Sequence, residues 1–257
     1  MTTTHSPTLA TPVRQALPHD IAMRLAAAEY ARTADALAAL GPGDWALPTP
    51  CPAWDVRQMA CHTVGMATMA SSPLETMRQQ RKAAARAKAD GVDPLTGLTA
   101  VQVDERAEWR PDRVVAAARE VGLRATRGRR RTPGFVRRCT LPLTQCVGGR
   151  PERWTIGFLT DVILTRDPWM HRMDLAQAVG RRPELTPDHD GVLVADVVAE
   201  WAARHGAPYR LTLTGPAGGT WSHGSGGEEI ELDAVDFCRV VSGRGNGEGL
   251  LSVLVPF

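Results

Sequence analysis

Asp167 and His171 carry side chains that commonly bind metal ions, and they lie four positions apart near the end of the apolar-periodic first two thirds of the chain. On a helix they share one face, and Asp174 extends that face by another turn. A carboxylate and an imidazole on one face, with a third donor from another helix, form a metal site in a helical bundle. We expect the third donor to be His62. The sequence therefore predicts a cation held by His62, Asp167 and His171.

The proline that follows Asp167 leaves two interpretations of this segment open. Pro168 clashes with the preceding helical turn and disfavours helical geometry at the residue before it. Asp167 could therefore be the N-cap of a new helix that starts at Pro168, and its carboxylate would then bind backbone amides. Alternatively, one long helix is kinked at Pro168 and the carboxylate is available to a cation.

Asp174 also has two interpretations. Its carboxylate could accept a hydrogen bond from the imidazole nitrogen of a ligand histidine that faces away from the metal, which would set the tautomer of that ring. It could instead form an ion pair with one of three nearby arginines, Arg172, Arg181 or Arg182. Both interpretations are compatible with the spacing.

A helix start upstream of His62 predicts how that imidazole is presented. Asp55 and Gln58 have the spacing of a capping box, and a helix over residues 56–70 would carry His62 near its second turn. Cys61 would point about 100° away around the helix, so we expect it to pack as a small apolar side chain. A histidine alone is more often a satisfied or surface residue than a ligand. The separate Asp167–His171 pair is what favours the ligand interpretation.

Helical patterns dominate the first two thirds of the chain and predict a four-helix bundle. They cover residues 20–40, 56–70, 73–90, 98–126 (with a possible break at 110–111) and 154–179, and residues 139–153 are expected to be an irregular connection. Beyond residue 188 the pattern predicts two helices, 188–205 and 234–242, and four strands, 209–214, 220–223, 229–232 and 249–255. The prediction is an α+β chain with a flexible lead-in over 1–19, the bundle over 20–181 and a small α+β domain over 188–257.

Composition and charge argue against several classes of protein. The formal net charge of +2 is too small for a protein devoted to nucleic acids. No apolar run approaches the roughly 20 residues that cross a bilayer, and residues 1–20 lack the pattern of a secretion signal. Five widely spaced cysteines, an odd number, favour reduced thiols in a cytoplasm. We therefore expect a cytoplasmic protein without a nucleic-acid or membrane partner, as a monomer or a homodimer.

Seven arginines lie between residues 124 and 138. Such a run could bind phosphate or another anion. The favoured interpretation is a solvated helix end and loop, where positive charge also suits the helix dipole. Phe135 is the only aromatic residue among them, whereas single-stranded nucleic-acid sites interleave several.

Three segments of the chain resemble the mycothiol-dependent maleylpyruvate isomerase family, which belongs to the larger group of DinB-like four-helix bundle proteins. They are PTPCPAWDVRQMACH, RDPWMHRMDLAQAVGR and the closing GLLSVLVPF, and the resemblance extends over roughly residues 20–257. It implies a divalent metal, usually zinc, on His62, Asp167 and His171. Asp167 stands where the family commonly has glutamate, so its side chain is shorter than the usual ligand.

The resemblance further implies that the metal activates the thiol of a small cofactor, mycothiol, for attack on an electrophile or for cis–trans isomerisation. It also implies that an arginine of the C-terminal part helps to hold the substrate or the cofactor. Arg239 and Arg244 are the two candidates, and the sequence does not choose between them.

The chemistry of a three-ligand site agrees with this implication. Three protein ligands leave zinc with an open position, as in catalytic sites. A thiol that enters the open position loses its proton, because the cation stabilises the thiolate far more than the thiol. The thiolate is the nucleophile for addition to an activated double bond or for displacement at an electrophilic carbon. The protein would bind the thiol beside its target in a cleft between the bundle and the C-terminal domain.

Three hypotheses follow from these observations. The leading one is a metal-dependent thiol enzyme, an S-transferase or an isomerase, with the transferase favoured because many substrates can meet one activated thiol. The second is a metal-free module that binds a small ligand or a partner protein, with Asp167 as a helix cap. The third is an anion or nucleic-acid binder that uses the arginines between 124 and 138.

Overall fold

The computed structural model describes residues 17–257. The predicted lead-in over residues 1–19 lies outside the described residues except for its last three, and His19 already begins the first helix. The described part contains a helical bundle and, in its C-terminal part, a small sheet region. The α+β fold class predicted from the sequence is therefore confirmed, whereas the domain boundaries stay predictions.

Four long helices form the bundle, and each packs against two of the others. They are α1 (His19–Ala38), α2 (Val56–Ser71), α5 (Pro111–Arg130) and α7 (Leu164–Ala178). Two further helices, α3 (Pro73–Asp90) and α4 (Pro94–Asp104), pack against each other and against α2. The predicted helical region 98–126 is thus divided between α4 and α5, because Pro111 occupies the first turn of a new helix.

The predicted capping box at the start of α2 is present. The Asp55 carboxylate accepts a hydrogen bond from the Gln58 backbone N–H at 2.7 Å, and the Gln58 side chain accepts one from the Asp55 N–H at 2.9 Å. These two bonds satisfy N–H groups that a helix start leaves without partners. The helix that presents His62 therefore begins where local sequence alone predicts.

Residues 139–153 are not an irregular connection, and that prediction is wrong. A short helix, α6 (Gly134–Arg137), precedes them, and the residues themselves form most of an antiparallel hairpin of β1 (Thr140–Val147) and β2 (Arg150–Thr155). Gly148 and Gly149, with φ of 56° and 75°, make the two-residue turn, and such turns suit the twist of a hairpin. Pro142 and the polar residues of β1 hide the strand alternation in the sequence.

Helix α7 runs straight on from a π-helical segment, Phe158–Ile163, and contains Pro168 in its interior. The residue that precedes its first position is Ile163, so Asp167 is not the N-cap of a helix that begins at Pro168. Of the two interpretations of this segment, the structure shows the continuous helix, which leaves the Asp167 carboxylate free of backbone capping.

The C-terminal part builds a three-stranded sheet with α8 (Val192–His205) before it and α9 (Ala234–Arg239) after it. The central strand β3 (Tyr209–Thr214) is antiparallel to β4 (Gly219–His223) and parallel to β5 (Glu228–Asp233). The predicted last strand, 249–255, is wrong. Gly249, at φ 54°, starts a 3-10 turn, Gly249–Ser252, and the chain after it joins neither sheet among the described residues.

One apolar core joins the bundle to the sheet. It contains buried side chains of α1, α7, α8 and α9, among them Met23, Trp169, Trp201 and Phe237. Because α9 packs into this core, the segment that follows it reaches the inner face of α7. No helix among residues 17–257 is both long and apolar enough to cross a bilayer.

Candidate metal centre

The three predicted ligands meet in the interior of the bundle. The Asp167 Oδ1 atom lies 3.7 Å from His62 Nε2 and 3.5 Å from His171 Nε2, and the donor atoms all lie within 4.8 Å of one another. Zinc bonds of about 2 Å in a tetrahedral site separate neighbouring donor atoms by about 3.3 Å. Two imidazole nitrogens and a carboxylate oxygen at these separations fit a divalent cation. Aspartate is therefore long enough at position 167.

The charges at the centre are arranged as for a cation. Burial disfavours a charged carboxyl at Asp167, but the imidazoles of His171 and His62 outweigh burial and hold the pKa of Asp167 well below its ordinary value. Burial also opposes charge on His171, yet the Asp167 and Asp174 carboxylates raise the pKa of His171 well above its ordinary value. The metal-free centre thus holds a carboxylate beside a proton-bearing histidine, and a divalent cation would take the place of that positive charge.

Asp174 binds the nitrogen of His171 that faces away from the centre. His171 Nδ1 lies 3.2 Å from Asp174 Oδ2, so the carboxylate accepts the Nδ1 proton and leaves Nε2 directed at Asp167. Of the two interpretations of Asp174, the structure shows this hydrogen bond. The ion-pair partners of Asp174 are also different from those considered in the sequence.

Those partners are the two candidate arginines of the C-terminal part. Arg239 Nη2 lies 3.1 Å from Asp174 Oδ1, and Arg244 Nε lies 3.0 Å from Asp174 Oδ2. Both guanidinium groups are largely but not completely buried, so each keeps a solvent-facing part at the edge of the centre. The structure therefore brings both arginines to the site.

The partner of His62 is a residue that the sequence did not predict. His62 Nδ1 lies 2.9 Å from Oε1 of Gln102, a fully buried residue of α4. A polar glutamine among the apolar positions 98 and 101 of α4 was the available signal, because a buried amide requires partners.

Trp54 and Cys51 were also missed as neighbours of the centre. The Trp54 ring stacks on His62 with 4.6 Å between ring centroids and 30° between planes. The thiol of Cys51 donates to Asp174 Oδ2 at 3.6 Å and lies 3.9 Å from Arg244 Nη2. Both residues belong to the proline-rich segment PTPCPAW before α2.

A second carboxylate–histidine cluster, Glu29, His189 and Asp190, has the donor types of a metal site. Arg172 fills it, however: its guanidinium lies 2.7 Å from Glu29 Oε1 and 2.7 Å from Asp190 Oδ1. A guanidinium already neutralises these carboxylates, so the cluster is an ion-pair network that joins α1, α7 and the start of α8.

The arginine-rich segment divides into exposed and buried members. Five of the seven side chains are exposed, namely Arg124, Arg127, Arg130, Arg131 and Arg138. Arg137 pairs with Asp161 at 3.1 Å, and Arg129 is buried and donates to the Thr160 carbonyl of the π-helical segment at 2.7 Å. The solvated interpretation describes the exposed members, but Arg129 is a structural residue of the bundle.

Comparison with known proteins places this geometry in a family context. The model of the mycothiol maleylpyruvate isomerase N-terminal domain matches residues 26–176, which include all three candidate ligands. Two solved structures share the fold: the mycothiol-dependent maleylpyruvate isomerase, at 17% identity, and a histidine-to-alanine mutant of it, at 14%. In each case the TM-score is 0.56 and the match covers 89% of this chain and 90% of the other. A comparison with curated proteins found no match.

Proposed function

The chain belongs to the mycothiol maleylpyruvate isomerase family, and from this premise we propose that it is a metal-dependent thiol enzyme. It uses a low-molecular-weight thiol, mycothiol, for S-transfer to an electrophile or for thiol-assisted cis–trans isomerisation of a maleylpyruvate-like substrate. The observation that carries the proposal is the convergence of His62 Nε2, Asp167 Oδ1 and His171 Nε2 within 4.8 Å.

His62, Asp167 and His171 are the residues that would hold the metal, which we expect to be zinc. When bound, the cation supplies the positive charge that stabilises a thiolate over a thiol at neutral pH. Three protein ligands suit a catalytic site, because the fourth position is then available to a small molecule. The Asp167 carboxylate is 14% exposed, so a small molecule can reach the centre from that side.

The other residues of the site orient the ligand histidines and bind the substrate or the thiol compound. Asp174 keeps the His171 proton on Nδ1, so that Nε2 is the ligand nitrogen. His171, together with Arg244 and Arg239, holds the pKa of Asp174 below its ordinary value against the effect of burial. The two guanidinium groups are partly exposed, and their N–H donors can bind a carboxylate of the substrate or a hydroxyl of the thiol compound. Trp54 covers the His62 ring and excludes water from that side of the centre.

Both reactions use the same nucleophile. In S-transfer the thiol gives its proton to solvent and its sulfur forms a bond to the electrophilic carbon. That carbon either expels a leaving group with its bonding pair or, in addition to a double bond, passes the π pair to the neighbouring carbon, which takes up a proton from solvent. In thiol-assisted isomerisation the sulfur adds to the double bond, the resulting single bond rotates, and the sulfur leaves again. We favour S-transfer, because one activated thiol can react with many electrophiles.

The metal-free binding module is less well supported. That alternative required Asp167 to cap a helix, whereas Asp167 lies inside α7 with its Oδ1 directed at two imidazoles. The proposal does not depend on nucleic acid, and the arginines that would bind it lie on the outer part of α5 and α6 rather than at the centre.

The test combines metal analysis with a thiol assay. Protein purified without chelator is expected to contain about one zinc per chain, and His62→Ala and His171→Ala are expected to lose it. Mycothiol conjugation to a chromogenic electrophile, and isomerisation of maleylpyruvate in a parallel assay, should require both the metal and the thiol. His223→Ala, in an exposed part of β4, is the matched control. Wild-type protein that neither contains nor binds zinc would contradict the proposal.

A further inference from the structure

Two glutamines outside the three-ligand set form a buried chain of hydrogen bonds that ends on His62. Gln79 of α3 and Gln102 of α4 are both fully buried. Gln102 Nε2 donates to Gln79 Oε1 at 2.9 Å, and Gln102 Oε1 accepts from His62 Nδ1 at 2.9 Å. Burial of two primary amides costs folding free energy unless every donor and acceptor is paired, so the pairing of these two glutamines fixes the orientation of each amide.

The end of the hydrogen-bond chain at Gln79 determines which atoms along it donate and which accept. Gln79 Nε2 donates to the Gly65 backbone carbonyl at 3.1 Å and to Glu75 Oε1 at 3.0 Å. A carbonyl oxygen and an ionised carboxylate can both only accept hydrogen bonds. Hydrogen bonds from Arg78 lower the pKa of Glu75 below its ordinary value, so this carboxyl is ionised at neutral pH. The Gln79 atom that faces these two oxygens is therefore its amide nitrogen.

The orientation of the Gln79 amide then fixes the orientation of the Gln102 amide. With the Gln79 nitrogen engaged, its Oε1 faces Gln102 and must receive a proton from the Gln102 nitrogen. That nitrogen also lies 3.1 Å from Met66 Sδ, which can only accept. Gln102 Oε1 is left to face His62, and this oxygen has no proton to donate. Nδ1 of His62 therefore carries the proton, and Nε2 keeps its lone pair for the centre.

Gly65 accepts the first hydrogen bond of the series with its carbonyl, and its lack of a side chain leaves space for Gln102. A Cβ at position 65 would lie 2.6 Å from Gln102 Cβ and 2.7 Å from Gln102 Cγ, far inside van der Waals contact. The absence of a side chain at Gly65 lets Gln102 pack directly on α2, one turn beyond His62. The backbone of α2 thus supplies both the acceptor that starts the chain and the space in which it lies.

We infer that Gln79 and Gln102 are positioning residues that hold His62 in the Nδ1–H tautomer and so present Nε2 to the metal. Asp174 likewise holds the proton on Nδ1 of His171, so the two histidines have different partners, one a neutral amide and the other a carboxylate. Because the metal belongs to the proposed function, the effect of the glutamines on metal affinity rests on that proposal. The tautomer of His62 in metal-free protein does not depend on the proposed function.

The tautomer can be measured directly. In full-length protein with 15N-labelled histidine and no metal, NMR should show the proton of the neutral His62 ring on Nδ1 and not on Nε2. The His62 signals are identified as those missing from His62→Ala. A neutral His62 ring with its proton on Nε2 in the wild type overturns the inference without any glutamine variant.

The metal affinity provides the second readout. Gln102→Leu and Gln79→Leu should weaken zinc binding about 10–100-fold in a competition titration with a chromophoric chelator, as is typical for the loss of a ligand's hydrogen-bond partner. Gly65→Ala, which displaces Gln102 without removing an amide, should also weaken it. Gln177→Leu, at an exposed position of α7, should leave the affinity unchanged.

The outcomes separate the inference from the proposed function. Wild-type protein that binds no zinc contradicts the proposed function, while the NMR result still decides the tautomer. Wild-type zinc affinity that is retained within twofold by a folded Gln102→Leu overturns the positioning role alone. If Gln102→Leu does not fold, the wild-type tautomer and Gly65→Ala decide.

Discussion

Arg129 donates a hydrogen bond from Nη1 to the Leu164 backbone carbonyl at 3.0 Å. In a regular helix that carbonyl would accept from the N–H of residue 168, but Pro168 has none. The guanidinium of α5 thus occupies the position that the proline leaves without a donor. Asp167 can then remain in a helical turn directly before a proline, and the carboxylate stays directed at the two histidines.

Replacement of Arg129 should therefore destabilise the bundle and the centre together. Arg129→Met keeps the apolar stem but leaves the carbonyls of Thr160 and Leu164 without this donor. We expect the free energy of unfolding to fall by about 3 kcal/mol in urea denaturation, since each buried orphaned acceptor costs about 1–3 kcal/mol. Arg124→Met, at an exposed position of the same helix, should change it by less than about 0.5 kcal/mol. Equal stability of the two variants would contradict this role.

Asp174 should control metal affinity through His171. Asp174→Asn keeps the shape of the side chain but removes the charge that holds the Nδ1 proton, so zinc affinity should fall about 10–100-fold. A chelator competition titration measures this. Asp35→Asn, an exposed aspartate on α1, is the control and should bind zinc as the wild type does. An unchanged affinity in Asp174→Asn would mean that Asp174 serves only the two arginines.

The two C-terminal arginines should affect substrate binding more than metal binding. Arg244→Ala removes a partly exposed guanidinium that contacts Asp174 and Cys51. We expect KM for thiol or electrophile to rise about tenfold, which corresponds to about 1.4 kcal/mol, with the zinc content retained. Steady-state kinetics with each substrate varied in turn measures this, and Arg210→Ala, exposed on β3, is the control. Loss of the zinc with unchanged KM would show that Arg244 acts on the centre alone.

Acid stability should depend on Glu105, which lies away from the centre. Hydrogen bonds from Arg78 and Lys82, opposed by partial burial, lower the pKa of Glu105 from 4.5 to about 2. A carboxyl whose pKa is lower in the folded than in the unfolded state stabilises the fold above the unfolded pKa. Its contribution is therefore complete above pH 5 and is lost as the pH falls from 4.5 toward 2.

Glu105→Gln removes this contribution. After a reduction for solvent screening of the partly exposed partners, we expect about 1–2 kcal/mol less stability than the wild type at pH 7. The difference should shrink as the pH is lowered through 4 to 3, measured by denaturation at each pH. Glu120→Gln, whose carboxyl is exposed, should follow the wild type throughout. A constant difference between Glu105→Gln and wild type at all pH values would contradict the pKa shift.

The sequence pattern predicts some of the strands, whereas others depend on contacts that only the folded structure provides. The alternation of Tyr209, Leu211 and Leu213 predicts β3 correctly, because these side chains all point to one buried face. Strand β1 has no buried residue and β2 buries only Glu152 and Trp154, so their pairing depends on the turn and on hydrogen bonds between neighbours. The run before Val255 has the apolar composition of a strand because its partly buried side chains pack against the core, but no described strand pairs with it.

The sequence by itself determined α1, the start and cap of α2 and the shared face of Asp167 and His171. Each of these depends on residues within one or two helical turns of one another, and helical spacing converts directly into geometry. Only the tertiary structure decided the partner of His62 and the ion-pair partners of Asp174. Gln102 lies 40 positions from His62, and Arg239 and Arg244 lie 65 and 70 positions from Asp174. Contacts over such separations depend on how the helices pack and cross, and no local period encodes that arrangement.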